Sequence, residues 1–321
     1  MSKKISWLLL AGLVIIGSVV AVSCKKTVEA VVNNVDASNT AKAKSQSIDA
    51  SFINGETDQT DNDVNNSASA SAKMSGSGNN STSNGVPDAS IDSSSSLKTI
   101  TINYNGTLPS GSCKKRTGSI TVDLISGNRW IDVGAVIQYT FNNFKVFNVC
   151  TNKSVTINGT RTLTNVLGGN VYTLSLNRLP KLTHKVRANY NVTFVDSNGT
   201  TKTAQWNVAR KTDIIYANSF FGFTSSGDTT ISGLSSIESW GVTRDGFNYT
   251  TQFTTPIVSN TGCGLWKPTA GVVVHTVASF PFTVQYGLDA SGNQVTSGCA
   301  AFYKVSWLTV AGVSVFAILP Y

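Results

Sequence analysis

From Thr99 onward the chain alternates apolar and polar residues. Val186, Ala188, Tyr190, Val192 and Phe194 interleave with Arg187, Asn189, Asn191 and Thr193, which is the period of a strand with one buried face. Ala204, Trp206 and Val208 repeat the pattern after Asp196-Ser197-Asn198-Gly199-Thr200. A two-residue Asn198-Gly199 turn would set the two apolar faces on opposite sides. A three-residue loop, Ser197-Asn198-Gly199, pairs Tyr190 with Trp206 and Val192 with Ala204, with Gly199 in the left-handed bulge position. Asn105-Gly106, Asn158-Gly159 and Asp245-Gly246 mark further turns. Val305 to Leu319 is apolar, interrupted at Gly312 and too short for a bilayer span, and reads as a buried terminal hairpin. The pattern predicts an all-β, antiparallel, β-sandwich-like fold over 98–321. It is either one large unit or two tandem units, 98–212 and 213–321.

Upstream the alternation is missing. Residues 27–97 contain one aromatic, Phe52, and runs such as Ser67-Ala68-Ser69-Ala70-Ser71-Ala72. So little apolar surface predicts a disordered linker. Before it, Lys3 and Lys4 lead into an apolar run, Ile5 to Val22, that ends at Ala21-Val22-Ser23-Cys24. This resembles a bacterial lipoprotein signal, with residues 1–23 removed and Cys24 carrying the lipid; a plain membrane anchor is the competing reading. Anchoring of this kind becomes stable with two or more acyl chains. Lys25 follows the cysteine, which favours the outer membrane. Residues 24–97 are then a lipidated N-terminus and linker.

Charge divides the same way. Only 13% of residues are charged. Residues 27–97 hold three lysines against nine acids, whereas residues 98–321 hold 18 basic and eight acidic residues. A basic domain suits acidic glycans or envelope components. Lys114-Lys115-Arg116 is the one dense basic run, so specific nucleic-acid binding is not expected. Setting Cys24 aside leaves Cys113, Cys150, Cys263 and Cys299, which in an exported protein read as bridges. Four cysteines allow three pairings. Cys113–Cys150 and Cys263–Cys299 are favoured because each closes a short loop within one half; a Cys113–Cys263 link would instead join the halves.

Motifs for chemistry are sparse. His184 and His275 stand alone in alternating runs and read as surface or core residues. The zinc, phosphate-loop and hydrolase-elbow signatures are missing. Asp61-Asn62-Asp63 starts like a calcium loop, but Asn66 and Ala72 replace its glycine and glutamate. Asp123, Asp132, Asp196, Asp213, Asp228, Glu238, Asp245 and Asp289 are the carboxylates from which a glycosidase pair would have to come. Trp130, Trp240 and Trp266 lie beside turn residues and are candidates for stacking on sugars. No catalytic, cofactor or metal site is expected. The sequence reads as a membrane-anchored, non-enzymatic module binding glycans or envelope proteins, with a polysaccharide-acting hydrolase as the alternative.

Several segments also resemble the uncharacterised outer-envelope lipoproteins of Bacteroidota: Arg116-Thr117-Gly118-Ser119-Ile120, Phe141-Asn142-Asn143-Phe144-Lys145-Val146, Gly159-Thr160-Arg161-Thr162-Leu163, Arg244-Asp245-Gly246-Phe247-Asn248-Tyr249 and Cys263-Gly264-Leu265-Trp266-Lys267-Pro268. The resemblance covers most of 98–321 and implies an envelope location. It carries no activity. Cys150 is an addition to that pattern.

Overall fold

The computed structural model describes residues 34–70, 86, 88–92, 98–264, 267–309 and 311–321. The signal segment and Cys24 lie outside the described residues. One long helix, α1 (Asn34–Ala70), precedes the strands β1 (Ala89–Asp92), β2 (Thr99–Asn105), β3 (Lys114–Ser126), β4 (Ala135–Asn148) and β5 (Lys153–Asn165). A single turn, α2 (Val171–Ser175), leads to β6 (Leu182–Val195) and β7 (Thr201–Ala217). Then follow β8 (Phe220–Gly227), β9 (Thr229–Ile231), β10 (Leu234–Val242), β11 (Asn248–Asn260), β12 (Ala270–Val277), β13 (Phe280–Leu288), β14 (Phe302–Leu308) and β15 (Ser314–Pro320).

The all-β, antiparallel expectation holds. All 15 strands belong to one sheet, ordered β1 to β7, then β10 to β15. The 212/213 division falls inside β7, and β7 pairs with both β8 and β10, so the sheet is continuous across it. A sheet of more than about ten strands curls rather than staying flat. Here one core includes Ile100 and Ile102 of β2, Phe282 and Val284 of β13, and Ile53 and Val64 of α1. A helix about 10 Å wide cannot cover so many strands alone. Residues from both ends of the sheet and from α1 thus share one core, where a sandwich would use two sheets.

The β6–β7 hairpin has the expected register, with Tyr190 opposite Trp206 and Val192 opposite Ala204. Gly199 is left-handed at φ +83°. Asn105-Gly106 closes β2 instead, with Asn105 paired to Thr117 and the Gly106 N–H donating to the Arg116 carbonyl ahead of the loop to β3, and Asp245-Gly246 lies at a turn. Asn158-Gly159 does not. It lies inside β5, and a Cβ on Gly159 would stand 2.1 Å from the Asn189 carbonyl oxygen of β6. The glycine there permits close strand approach. The terminal run forms the β14–β15 hairpin. It is not buried as expected: every residue of β14 and β15 is half-buried or exposed, Leu308 60% and Phe316 64%.

The larger correction is α1. Residues 34–70 form a 37-residue helix, about 55 Å long, where a disordered linker was expected. Its inward stripe is Ala43, Gln46, Ala50, Ile53, Thr57, Thr60, Val64 and Ser67, all buried. Steps of three and four make this a heptad seam. Half of its positions are polar, so hydropathy shows no helical period. Thr57 and Ser67 turn their hydroxyls back to the carbonyls of Ile53 and Asp63, which lets polar side chains sit in a buried seam. Intrinsic propensity is weak in a stretch so rich in Asn, Asp, Ser and Thr. Contact with the sheet supplies the rest.

Candidate functional site

The sheet positions a row of cations under α1, and α1 answers with acids. Asp49, Glu56 and Asp63 follow at seven-residue intervals on the buried side of the helix. Asp49 receives a two-pronged contact from Arg244, in the β10–β11 turn, with Nε 2.8 Å from Oδ2. Glu56 receives Lys114 of β3 at 2.5 Å. Asp63 receives Arg116 of β3 at 2.6 Å and the Tyr104 hydroxyl of β2 at 2.8 Å. Arg116 also clamps Asp88 just before β1, with Nε donating at 2.7 Å. The cations rest on rings: Arg116 on Tyr104 at 4.6 Å, Arg244 on Phe194 at 4.5 Å and Lys114 on Phe52 at 5.1 Å. Such stacking suits desolvated cations.

Between these contacts lies a buried charge cluster. Arg161 of β5 is 1% exposed. It binds Asp61, reaches Asp58 at 3.3 Å and approaches the Tyr190 hydroxyl at 3.4 Å. Arg210 of β7 also binds Asp58 and stands 3.9 Å from Glu238 of β10. The local fold explains this placement. The first part of β7 pairs with β10 and its last part with β8. Arg210 opposes Gly227, the end of β8, while Glu238 sits at a register shift in β10. The junction of the two short strands thus turns Arg210 and Glu238 inward together. A Cβ on Gly227 would meet the Ser236 carbonyl oxygen at 2.1 Å, so this junction needs glycine.

Burial governs the titration of these groups. It pushes Asp49 up to about 6, with Arg244 pulling the other way. It raises Asp61 against the opposing charge of Arg161, and Glu238 against that of Arg210. Burial lowers His184 and His275 to about 4, so both are neutral at physiological pH. A buried ion pair is held mainly by the cost of leaving either partner alone. Arg161 Nε, Arg210 Nε and Trp206 Nε1 are buried donors with no acceptor in hydrogen-bond range. The α1-facing side of the sheet is the floor of a groove that α1 fills; Trp206 shares that core with Ile53 and Val64 of α1, its ring 4.7 Å from that of Tyr249.

The other candidates from sequence are scattered. Cys113–Cys150 ties the start of β3 to the end of β4, and Cys263–Cys299 ties the chain after β11 to the approach to β14; these are the two favoured pairings. Trp130 is 6% exposed and packs against His184 at 5.5 Å, which corrects its reading as a stacking residue. Trp240 is half-buried on the outer face, in a cross-strand row with Thr160, Asn189, Asn207 and Thr250. Trp266 lies outside the described residues. His275 shares a hydrogen bond with Thr251 at 3.0 Å and stacks on Phe282. Most of the carboxylates weighed for hydrolysis serve local contacts: Asp123 accepts from Thr99, Asp213 from Thr183 and Lys181, Asp228 from Arg187, and Asp132 and Asp289 from their own turns.

Sequence reasoning missed the groove, though a signal for it was present. Five acids from the acidic stretch, Asp49, Glu56, Asp58, Asp61 and Asp63, meet five cations of the basic one, Arg244, Lys114, Arg161, Arg210 and Arg116. Among the described residues no cluster of His, Cys, Asp and Glu is arranged to hold a metal, and no helix is long and apolar enough to cross a membrane. No known family, curated protein or solved structure matches the chain.

Proposed function

We propose that this chain is an exported lipoprotein, anchored through Cys24 in the outer membrane, and that its β domain is a non-enzymatic binding module. The kinship with envelope lipoproteins of Bacteroidota belongs to the same reading. On this reading the working surface is the basic, aromatic groove, and α1 is a strap that lies between the anchored N-terminus and the sheet. The observation that carries it is the matched spacing of Asp49, Glu56 and Asp63 against Arg244, Lys114 and Arg116. A helix with so little apolar surface is recognised by charge. Ion pairs of this kind give register and specificity more than raw affinity.

Two measurements test this. Cys24→Ala should abolish acyl labelling and leave the signal segment uncut; full labelling of that variant overturns the anchor. Trypsin should cut after Lys42 or Lys44 slowly in the wild type and faster when Arg244 is replaced by Gln. Equal rates would mean that α1 is not held by the groove.

A further inference from the structure

Under α1 lie buried polar atoms that the helix does not match: donors on Arg161, Arg210 and Trp206, and the two carboxylate oxygens of Glu238, which accept no hydrogen bond. A helix spends its backbone acceptors internally, so it meets the floor only with side-chain tips. Its carboxylates engage the outer nitrogens of Arg161 and Arg210, and the Nε of each stays unmatched, as does the indole N–H of Trp206. Arg161 and Trp206 are 1% exposed and Arg210 is 9% exposed. A buried donor left unpaired costs free energy. A better occupant would carry carboxylates to replace those of α1, acceptors along its whole length for the deeper donors, and hydroxyls that can donate to Glu238.

From this we infer that the groove is a binding site for a linear, carboxylated polysaccharide, and that α1 is its resident competitor. Each sugar acid supplies a carboxylate for a guanidinium, in the geometry Arg recognises best. Hydroxyls and ring oxygens reach Arg161 Nε, Arg210 Nε and Trp206 Nε1. An acidic peptide helix would repeat the shortfall of α1. Release of α1 costs little apolar burial, because its seam is half polar. The strap and the glycan therefore oppose each other through one set of arginines, and binding of one weakens the other. This inference rests on the reading of the groove as the working surface.

The test uses the full-length protein in detergent, with trypsin cutting at Lys42 and Lys44 as the readout. Polygalacturonate is the probe, with dextran as the neutral polymer and poly-L-glutamate as the peptide polyanion. Polygalacturonate should speed the cut about tenfold, dextran should leave it unchanged, and poly-L-glutamate should act more weakly than polygalacturonate. Asp58→Asn, which removes the α1 carboxylate held by both Arg161 and Arg210, should bind polygalacturonate more tightly than the wild type. A rate within twofold with and without polygalacturonate overturns the inference, as does a stronger effect from poly-L-glutamate. If instead the cut without any polymer is as fast as in Arg244→Gln, the strap itself fails, and the proposed function falls with it.

Discussion

Arg116 Nη1 lies 2.6 Å from Asp63 Oδ2, while the same guanidinium binds the Asp88 carboxylate through Nε. One side chain of β3 therefore neutralises an acid on α1 and a second acid at the approach to β1. Asp63 and Asp88 are 3% and 1% exposed. Arg116→Met should leave two buried carboxylates without their cation and cost about 3–5 kcal/mol. Asp63→Asn should cost clearly less, because Arg116 keeps Asp88. Urea unfolding of the two variants checks the order; a larger loss for Asp63→Asn would contradict it.

Asp49 predicts a pH signature. Its folded value is raised to about 6 from the ordinary 3.8, first by burial, with Arg244 opposing and Asp245 and Asp196 adding to the rise. Between about pH 4 and 6 the folded state holds more of the Asp49 proton than the unfolded state does. Stability from this group therefore grows as pH falls through that window, and its cost is complete above it. His184 and His275, lowered to about 4, act in the opposite sense. They cancel when Asp49→Asn is compared with the wild type. The stability of Asp49→Asn minus that of the wild type should be greater at pH 7.5 than at pH 4.5, by on the order of 1–3 kcal/mol. A pH-independent difference would remove burial as the cause.

Gly159→Ala tests the close approach of β5 and β6. The added methyl would meet the Asn189 carbonyl oxygen at 2.1 Å, and the backbone stands at φ +134°. Destabilisation of about 2–4 kcal/mol is expected. Gly199→Ala, at a turn with nothing within 4 Å, keeps only the positive-φ penalty and should lose about 1 kcal/mol. Thermal melts of both variants measure the contrast.

Reduction should lower the melting temperature, since losing a native bridge costs about 2–5 kcal/mol. Cys263→Ser with Cys299→Ser should act mainly on the β11-to-β14 region. Hydrogen exchange would then rise there and stay unchanged in β3 and β4. Loss of protection throughout would show that the two bridges act on a single unfolding unit.

Much of the sheet was legible because alternation is a strong signal wherever one face is buried. The register of Tyr190 with Trp206 follows from keeping two apolar faces on one side. Asn158-Gly159 misled because the same dipeptide serves a turn or a close strand approach, and only the neighbouring strand decides between them. The helix was hidden for a different reason. Its seam runs Ala50, Ile53, Thr57, Thr60, Val64, and a hydropathy pattern cannot show a face that is recognised by ion pairs. Arg161 and Arg210 lie on strands, at inward positions that alternation alone assigns to apolar residues. Their partners are 100 and 152 residues away, and no local pattern reaches that far.

The order of the sheet also sets a timetable. Almost every strand pairs with a neighbour in sequence, so hairpins can form one after another as the chain emerges. Helix α1 is made before all of them, yet its cations arrive with β3, β5, β7 and last with the β10–β11 turn. The strap must wait for nearly two hundred residues before its final contact, Asp49 with Arg244, exists. A greasy helix would aggregate or misdock during that interval. A polar one stays soluble until its arginines appear, so the composition that conceals α1 in the sequence also protects it while the rest of the protein is being built.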